Sequence, residues 1–201
     1  MQLFHAAASP FVRKVMVVLH ETAQLAEVAC VPATVSPVGQ EGAAHAHNPL
    51  GKIPVLTRPD GPALYDSRVI CRYLGERAGG ALYPAPRIWE VLTLEALADG
   101  MMDAAISITY EGRLRPEGGR SQDWIAGQWG KIDRALDALE EGWMSHLAGP
   151  LDIGQIAVGC ALGYLDFRHD TKDWRQGHGA LARWFERFEQ RASMRESRPS
   201  A

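Results

Sequence analysis

A hydroxyl residue and a proline stand directly before an amphipathic apolar run near the start of the chain. The residues from Ser9 to Lys14 read Ser-Pro-Phe-Val-Arg-Lys. Serine before a helix, with proline in its first turn, predicts a helix N-terminus that carries a side-chain hydroxyl. Because the N–H groups and the dipole of a helix N-terminus favour negative charge, this segment is a candidate binding site for an anion.

Two further segments that could form part of a binding site follow along the chain. The residues from Asn48 to Val55, Asn-Pro-Leu-Gly-Lys-Ile-Pro-Val, predict a loop that leads through Pro54 into a strand. The residues from Tyr65 to Ile70 predict a second capped helix start. Two helix N-termini and a strand-entry proline within seventy residues indicate a site for a small anionic thiol compound.

Strand and helix signals alternate through the first eighty residues. The predicted elements are a strand at Leu3–Phe4, a helix at Pro10–Glu21, a strand at Ala26–Val31, a hairpin of Ile53–Thr57 with Ala63–Tyr65, and a helix at Ser67–Arg77. Strand, helix, strand, hairpin and helix in this order predict a small α/β unit.

Gly79 to Pro86 contains two glycines and two prolines and is the predicted linker. After it the signals are helical: a long stretch from Trp89 to Tyr110, a core-facing stripe from Ile125 to Trp143, an apolar helix capped by Asp152 and Gln155, a final helix around Leu181–Phe188, and a loose tail from Arg195 to Ala201. The predicted domains are residues 1–78 and 87–201, joined by residues 79–86.

The composition of the 201-residue chain is ordinary for a globular protein, with 46% hydrophobic and 22% charged residues and a net charge of −3. No basic stripe suggests a nucleic-acid or membrane-surface partner. Three separated cysteines and a start without the pattern of an export signal predict a reducing, cytoplasmic location. His45 and His47 form a pair, but no further ligands are obvious, so we expect no metal site.

The three segments, in this order and at these spacings, resemble the glutathione transferase superfamily, specifically the bacterial transferase-like proteins with a Ser-Pro-Phe-Val-Arg-Lys start. The resemblance covers nearly the whole chain. It implies a thioredoxin-like N-terminal domain that binds glutathione, a linker, and an all-helical C-terminal domain.

The resemblance also implies roles for individual residues. Ser9 would donate a hydrogen bond to the glutathione sulfur, and Pro54 would follow a cis peptide bond that exposes the backbone of Ile53 to the cysteinyl unit. Ser67 and its helix would hold the γ-glutamyl carboxylate, and Asp66 would accept from the glutamyl ammonium or support the helix start. The implied glutathione-binding residues are Ser9, Phe11, Lys52, Ile53, Pro54, Asp66 and Ser67. From the residues alone, the hydroxyls and Asp66 are equally explained as helix caps and Pro54 as a strand-entry proline.

The second substrate is expected between the two domains, against the long helix after the linker. Met102, Ile106 and Tyr110 are spaced to line one face of that helix, and Asp103 lies beside them. An apolar pocket of this kind suits electrophiles, although core packing explains the same spacing. Asp99 and Asp103 are four residues apart and would form a polar wall or a base, or would instead make ion pairs.

The resemblance implies an enzyme, a glutathione S-transferase acting in detoxification as a homodimer, with glutathione as co-substrate and no metal. The expected interface consists of the helix that follows Tyr65 and the long helices after Trp89. A glutathione-dependent isomerase or peroxidase, or a non-catalytic glutathione-binding or interaction protein, are the alternatives. Serine at position 9, in place of cysteine, argues against a thiol-exchange role.

Overall fold

The computed structural model of the chain describes residues 1–39 and 42–200. These residues separate into two compact units: Met1–Ile88 together with the segment from Ala192 onward, and Trp89–Arg191. The first unit is α/β and the second is helical, which confirms the predicted fold class. Ala201, the last residue of the predicted second domain and tail, lies outside the described residues.

The first unit is built on a four-stranded mixed sheet. Its strands are β1 (Gln2–His5), β2 (Ala29–Pro32), β3 (Val55–Arg58) and β4 (Gly61–Leu64), in the order β2-β1-β3-β4. Strand β1 pairs parallel with β2 and antiparallel with β3, and β4 pairs antiparallel with β3. Strand β2 starts three residues later than predicted, because Leu25–Glu27 forms a 3-10 turn first.

Two helices of the first unit, α1 (Pro10–Glu21) and α2 (Ser67–Arg77), pack against each other. The apolar residues of α1 are buried at helical spacing and supply much of the core of this unit. The observed bounds of both helices match the predicted ones. The apolar run beginning at Val15 is therefore helical and not a strand, as its Ser-Pro start indicates.

The prediction of a loose tail from Arg195 to Ala201 is wrong for its first two residues, Arg195 and Glu196, which belong to a helix. Ala192–Glu196 forms a short helix, α8, which packs against α1 and buries Ser193 and Met194. The guanidinium of Arg13 donates to the Met194 carbonyl over 3.0 Å, and the Ser193 hydroxyl donates to the Glu21 carboxylate. These polar contacts and the buried Met194 side chain hold a segment that has no apolar periodicity of its own.

The second unit contains five helices among the described residues. They are α3 (Ile88–Leu114, whose first residue belongs to the first unit), α4 (Gln122–Ala138), α5 (Met144–Leu147), α6 (Ile153–Arg168) and α7 (Gly179–Phe188). A π-helical turn, Leu139–Trp143, connects α4 to α5. Helix α6 is buried over most of its length and forms the centre of this unit.

A capping box starts the central helix, as the sequence predicts. Asp152 accepts from the Gln155 backbone N–H over 3.2 Å, and the Gln155 side chain accepts from the Asp152 N–H over 2.9 Å. His146 lies 2.8 Å from the same carboxylate, and the Gln155 amide donates to the carbonyls of Leu147, the last residue of α5, and Gly149, in the loop that follows. Because these groups are buried, the box fixes both the start of α6 and the loop before it.

Helices α3 and α6 approach closely at Gly154. A Cβ atom at this position would lie 2.9 Å from Cδ2 and 3.0 Å from Cβ of Leu94, which is completely buried. Packing therefore favours glycine here, since an added Cβ would require the buried Leu94 side chain to shift within a close-packed interior.

We predict that Gly154→Ala lowers the free energy of unfolding by about 1–3 kcal/mol through overpacking against Leu94. The matched control is Gly127→Ala in α4, where no heavy atom lies within 4 Å of the added Cβ. That control should raise stability by about 0.5–1 kcal/mol, because alanine is the better helix former. Urea unfolding measures both variants, and equal stability of the two would contradict the close approach.

Candidate functional site

The strand register brings the three predicted site segments to one edge of the sheet. Phe4, near the end of β1, pairs with Val55, the first residue of β3. Leu64, the last residue of β4, pairs with Leu56. The end of β1, the start of β3 and the end of β4 therefore lie side by side. The segments containing Ser9, Pro54 and Ser67 begin or end at these three points.

Ser9 is the N-cap of α1. Its backbone is extended, with φ −85° and ψ 121°, and its Oγ accepts from the Val12 N–H over 3.3 Å. A hydroxyl that accepts this bond keeps its own hydrogen available as a donor. Pro10 occupies the first turn, and no acidic residue lies in that turn to offset the positive end of the helix. Phe11 is half-buried beside it.

The Ile53–Pro54 peptide bond is cis, as the resemblance implies. Among the described residues, no backbone hydrogen bond of Ile53 is formed, although its neighbour Val55 already belongs to β3. The N–H and C=O of Ile53 are thus available at the sheet edge for an extended ligand backbone. Lys52 is exposed next to them.

Asn48 holds the loop that presents Ile53. Its amide is buried, donates from Nδ2 to the Lys52 carbonyl over 2.9 Å, and accepts at Oδ1 from the Leu50 N–H over 3.0 Å. Gly51 has a φ of +63° and its Cα faces the His45 ring, so a side chain there would collide with the imidazole. The hydrogen bonds of the Asn48 amide and the positive φ of Gly51 therefore set the conformation of this loop.

Asp66 is the N-cap of α2. Its carboxylate accepts from the Arg68 N–H over 3.0 Å and from the Arg68 guanidinium over 3.2 Å. Ser67 follows at the first helical position and is buried. The first turn of α2, like that of α1, contains no acidic residue. The positive ends of two helices thus belong to segments that meet at the same sheet edge.

The predicted electrophile-pocket residues lie on α3 and differ in burial. Met102 is completely buried, Ile106 and Tyr110 are half-buried, and Asp103 is exposed. Asp99 is buried. The assignment of these positions to a pocket stays a prediction.

Two features of the described chain bear on metal and membrane binding. Within residues 1–39 and 42–200, no group of three or more His, Cys, Asp and Glu side chains is placed to hold a metal ion. The His47 ring lies 4.9 Å from the Phe4 ring between centroids, with an interplanar angle of 42°. No helix in the same residues is long and apolar enough to cross a membrane.

No sequence pattern predicted the buried charged residues that support the site. Arg13 and Lys14 follow Ser9 in the motif and are charged, yet both are buried. The Met194 carbonyl that Arg13 reaches is 181 residues away. No local pattern signals such a partner. Asn48 is different, because an Asn-Pro pair before a tight loop is a recognisable signal for a side chain that bonds nearby backbone.

Together the units define a thioredoxin-like protein with a helical second part, and comparison with known proteins gives its family. Residues 8–77 match the family model of the glutathione S-transferase N-terminal domain, and residues 122–187 match that of the C-terminal domain. A curated relative from Escherichia coli (strain K12), the uncharacterized GST-like protein YibF, is 32% identical over 99% of this chain and 98% of its own.

Solved structures agree with the family models. A glutathione transferase family member from Pseudomonas fluorescens Pf-5 with bound glutathione is 49% identical, with a TM-score of 0.96 over 100% of this chain and 99% of that one. A second structure from the same organism, with bound S-(propanoic acid)-glutathione, is 48% identical, with a TM-score of 0.92 over the whole of both chains. A glutathione S-transferase from Methylobacillus flagellatus KT with glutathione bound is 38% identical, with a TM-score of 0.86 over 99% of both.

The chain belongs to the glutathione S-transferase family and has the glutathione transferase fold.

We predict that Asn48→Ala lowers the free energy of unfolding by about 2 kcal/mol, because the Leu50 N–H and the Lys52 carbonyl each lose a hydrogen-bond partner. Leu50→Ala is the control in the same loop, since the Leu50 side chain is 68% exposed and its N–H is retained. The control should stay within about 0.5 kcal/mol of the parent protein in urea unfolding. Equal losses in both variants would show that the Asn48 amide does not hold the loop.

Proposed function

We propose that the protein is a glutathione S-transferase in which Ser9 donates a hydrogen bond to the glutathione thiolate. The observation that carries this proposal is the geometry of the Ser9 hydroxyl, which accepts from the Val12 N–H and so keeps its hydrogen for an external acceptor. The thiolate would lie at the positive end of α1, where charge stabilisation is greatest. The relatives with bound glutathione support the identity of the ligand.

The magnitudes are sufficient for thiol activation. A free thiol has a pKa of about 8.5, and lowering it by about two units requires about 2.7 kcal/mol in favour of the thiolate. A hydrogen bond to a charged acceptor contributes about 1.5–3 kcal/mol. A helix N-terminus adds about 0.3–1 kcal/mol, and up to about 2 kcal/mol when partly buried. Ser9 and α1 together supply the required stabilisation, and the helix alone does not reach it.

The remaining parts of glutathione have matching groups at the same sheet edge. The backbone of Ile53, beside Pro54, would pair with the cysteinyl unit in the manner of an added strand. Ser67 and the N–H groups of α2 would bind the γ-glutamyl carboxylate, and the exposed Lys52 would pair with the glycyl carboxylate. Asp66 already accepts two hydrogen bonds from Arg68, so we assign it chiefly to the helix start.

The thiolate would attack an electrophilic carbon of a small second substrate held by the helical unit. We assign its apolar part to the α3 face that carries Ile106 and Tyr110, with Met102 and Asp103 as further members of that wall. A relative that is 48% identical binds S-(propanoic acid)-glutathione, in which the group on sulfur is short and carries a carboxyl. We infer that the site of this chain also accepts a short carboxyl-bearing group on sulfur.

We predict that Ser9→Ala raises the pKa of the bound glutathione thiol by about 1–2 units, because the thiolate loses one charged hydrogen bond. The conjugation rate at neutral pH should fall roughly 3- to 25-fold, in step with the smaller thiolate fraction at pH 7. The ultraviolet absorbance of the thiolate, followed against pH with glutathione bound, measures the first effect. A pKa that is the same in both proteins would show that Ser9 is a helix cap alone.

The chain offers a matched control for the loss of the cap. Ser121 is the N-cap of α4, and its Oγ accepts from the Trp124 N–H over 3.2 Å in the same three-residue geometry. Ser121→Ala should cost the same stability, about 1 kcal/mol, and leave the thiol pKa unchanged. Ser67→Ala separates binding from activation, because it should weaken glutathione affinity about tenfold without moving the thiol pKa.

We also propose a homodimer in the cytoplasm, with α2 and α3 at the interface. Trp89, at the start of α3, is 77% exposed, and Val69 on α2 is 46% exposed. Large apolar side chains with this exposure are typical of an association surface. Cys30, Cys71 and Cys160 form no disulfide with one another, which is consistent with a reducing compartment.

We predict that Trp89→Ser shifts the protein from dimer to monomer at micromolar concentration, because an interface loses its largest apolar contact. Sedimentation velocity measures the change. Val38→Ser is the control, since Val38 is equally exposed, at 75%, and lies outside the proposed interface. A parent protein that sediments as a monomer, or a Trp89→Ser variant that remains dimeric, would contradict the proposal.

A further inference from the structure

Two carboxylates, one from the end of α4 and one from the π-helical turn that follows it, contact the start of α7. Glu140 accepts from the Ala180 N–H over 2.9 Å and from the Leu181 N–H over 2.7 Å. One carboxylate thus caps two N–H groups in the first turn of α7. Asp137 lies beside His178, the N-cap residue of α7, with 3.0 Å between Oδ1 and Nε2. These contacts attach the start of α7 to the end of α4.

Both ring nitrogens of His178 face atoms that can accept a hydrogen but have none to give. Nδ1 lies 2.7 Å from the Trp174 carbonyl oxygen, and Nε2 lies 3.0 Å from the Asp137 carboxylate. A neutral imidazole carries one N–H hydrogen, so it can donate to one of these two acceptors. The imidazolium carries a hydrogen on each nitrogen and donates to both. The pair of hydrogen bonds, here called the His178 bridge, is therefore complete when His178 is charged.

The loop that supplies the carbonyl is itself held in place. Trp174 is buried, and its indole N–H donates to the Asp166 carboxylate over 2.8 Å. Its ring also packs edge-on against the Phe185 ring, with 6.0 Å between centroids. Because Trp174 is anchored in this way, its carbonyl stays beside His178 when a proton leaves the imidazole. A ring nitrogen without hydrogen then faces an acceptor, which is unfavourable in a partly buried position.

The charges around His178 favour its protonated form. Asp137 on α4 and Glu140 in the π-helical turn are negative, and the guanidinium of Arg183 lies beside the first residue of α7 and acts on Glu140. Burial opposes the charge of His178, whose side chain is 12% exposed. The hydrogen bonds to Asp137 and to the Trp174 carbonyl, with the charges of both carboxylates, outweigh burial and raise the pKa of His178.

We propose that the His178 bridge is a pH-sensitive device that attaches the start of α7 to the end of α4 while His178 is protonated. A histidine whose pKa is raised by folding stabilises the folded state fully below its ordinary pKa of about 6.5. That contribution is lost as the pH rises through the raised value. The start of α7 is thus held most firmly in mildly acidic solution. The proposal is independent of glutathione, since every contact lies within the helical unit.

The first measurement is a nitrogen-15 NMR titration of the histidine rings in the full chain. We expect His178 to titrate above about pH 6.5 and to carry a hydrogen on both ring nitrogens below that pH. His169 is the internal control, because it is 9% exposed and burial lowers its pKa. It should titrate below about pH 6.5 in the same spectra. A His178 ring that titrates at or below about pH 6.5 would overturn the proposal.

Amide hydrogen exchange of α7, corrected for the intrinsic exchange rate, measures whether the bridge holds the helix. Between about pH 5.5 and about pH 8.5, protection should fall about tenfold for each unit by which the folded-state pKa of His178 exceeds its unfolded-state value. His178→Gln has no titrating group at this position and should show no such fall. Asp137→Asn keeps an acceptor without the charge, so it should lower the pKa of His178 and reduce the fall.

Each remaining outcome also decides the proposal. Protection of α7 that is the same across this pH range in the parent protein would show that the His178 bridge does not hold the helix. An equal fall in His178→Gln would assign the pH dependence to another group. If His178→Gln does not fold, Asp137→Asn decides alone, because an unchanged pKa of His178 in that variant would show that Asp137 does not stabilise the imidazolium.

Discussion

The register of one four-stranded sheet determines where the segments of the proposed glutathione site lie. Strand β1 ends beside the start of β3 because these strands run antiparallel, and the β3–β4 hairpin returns the chain to the same edge. Helices α1 and α2 therefore begin close together although more than forty residues separate them in sequence. A register shift of one residue would turn the side chains of β3 to opposite faces of the sheet and displace Pro54 from this edge.

Helix starts at this edge serve two purposes at once. Ser9 caps the N-terminus of α1 through its oxygen, and Asp66 caps the N-terminus of α2 through its carboxylate. Both helix starts are therefore capped before any ligand binds. The two capping side chains differ in the hydrogen-bonding groups that remain available for a ligand. A serine hydroxyl retains a hydrogen to donate, while a carboxylate has none and is engaged by Arg68. In the proposed site, this difference assigns the thiolate to the start of α1 and the γ-glutamyl carboxylate to Ser67 and the backbone N–H groups of α2.

The sequence predicts those features that depend on neighbouring residues. Ser9 with Pro10 predicts the start of α1, and Asp152 with Gln155 predicts the capping box of α6, because each cap is complete within four residues. The start of β2 is less predictable, since the apolar residues near Leu25 suit a 3-10 turn as well as a strand. The burial of Arg13 is not predictable, because its partner carbonyl comes from the far end of the chain.

The contact between Arg13 and Met194 constrains the order in which the parts of the first unit can pack during synthesis. Helix α1 follows the first strand, but the helix that covers it, α8, is separated from it by the whole helical unit. During synthesis at about 5–20 residues per second, the 181 residues between these partners take roughly 10 to 40 s to appear. Until the helical unit has been synthesised, α8 is absent and one side of α1 is exposed to water. The Arg13 side chain is hydrated during this time. Final closure of the α/β unit thus follows the synthesis of the helical unit and not the emergence of its own strands.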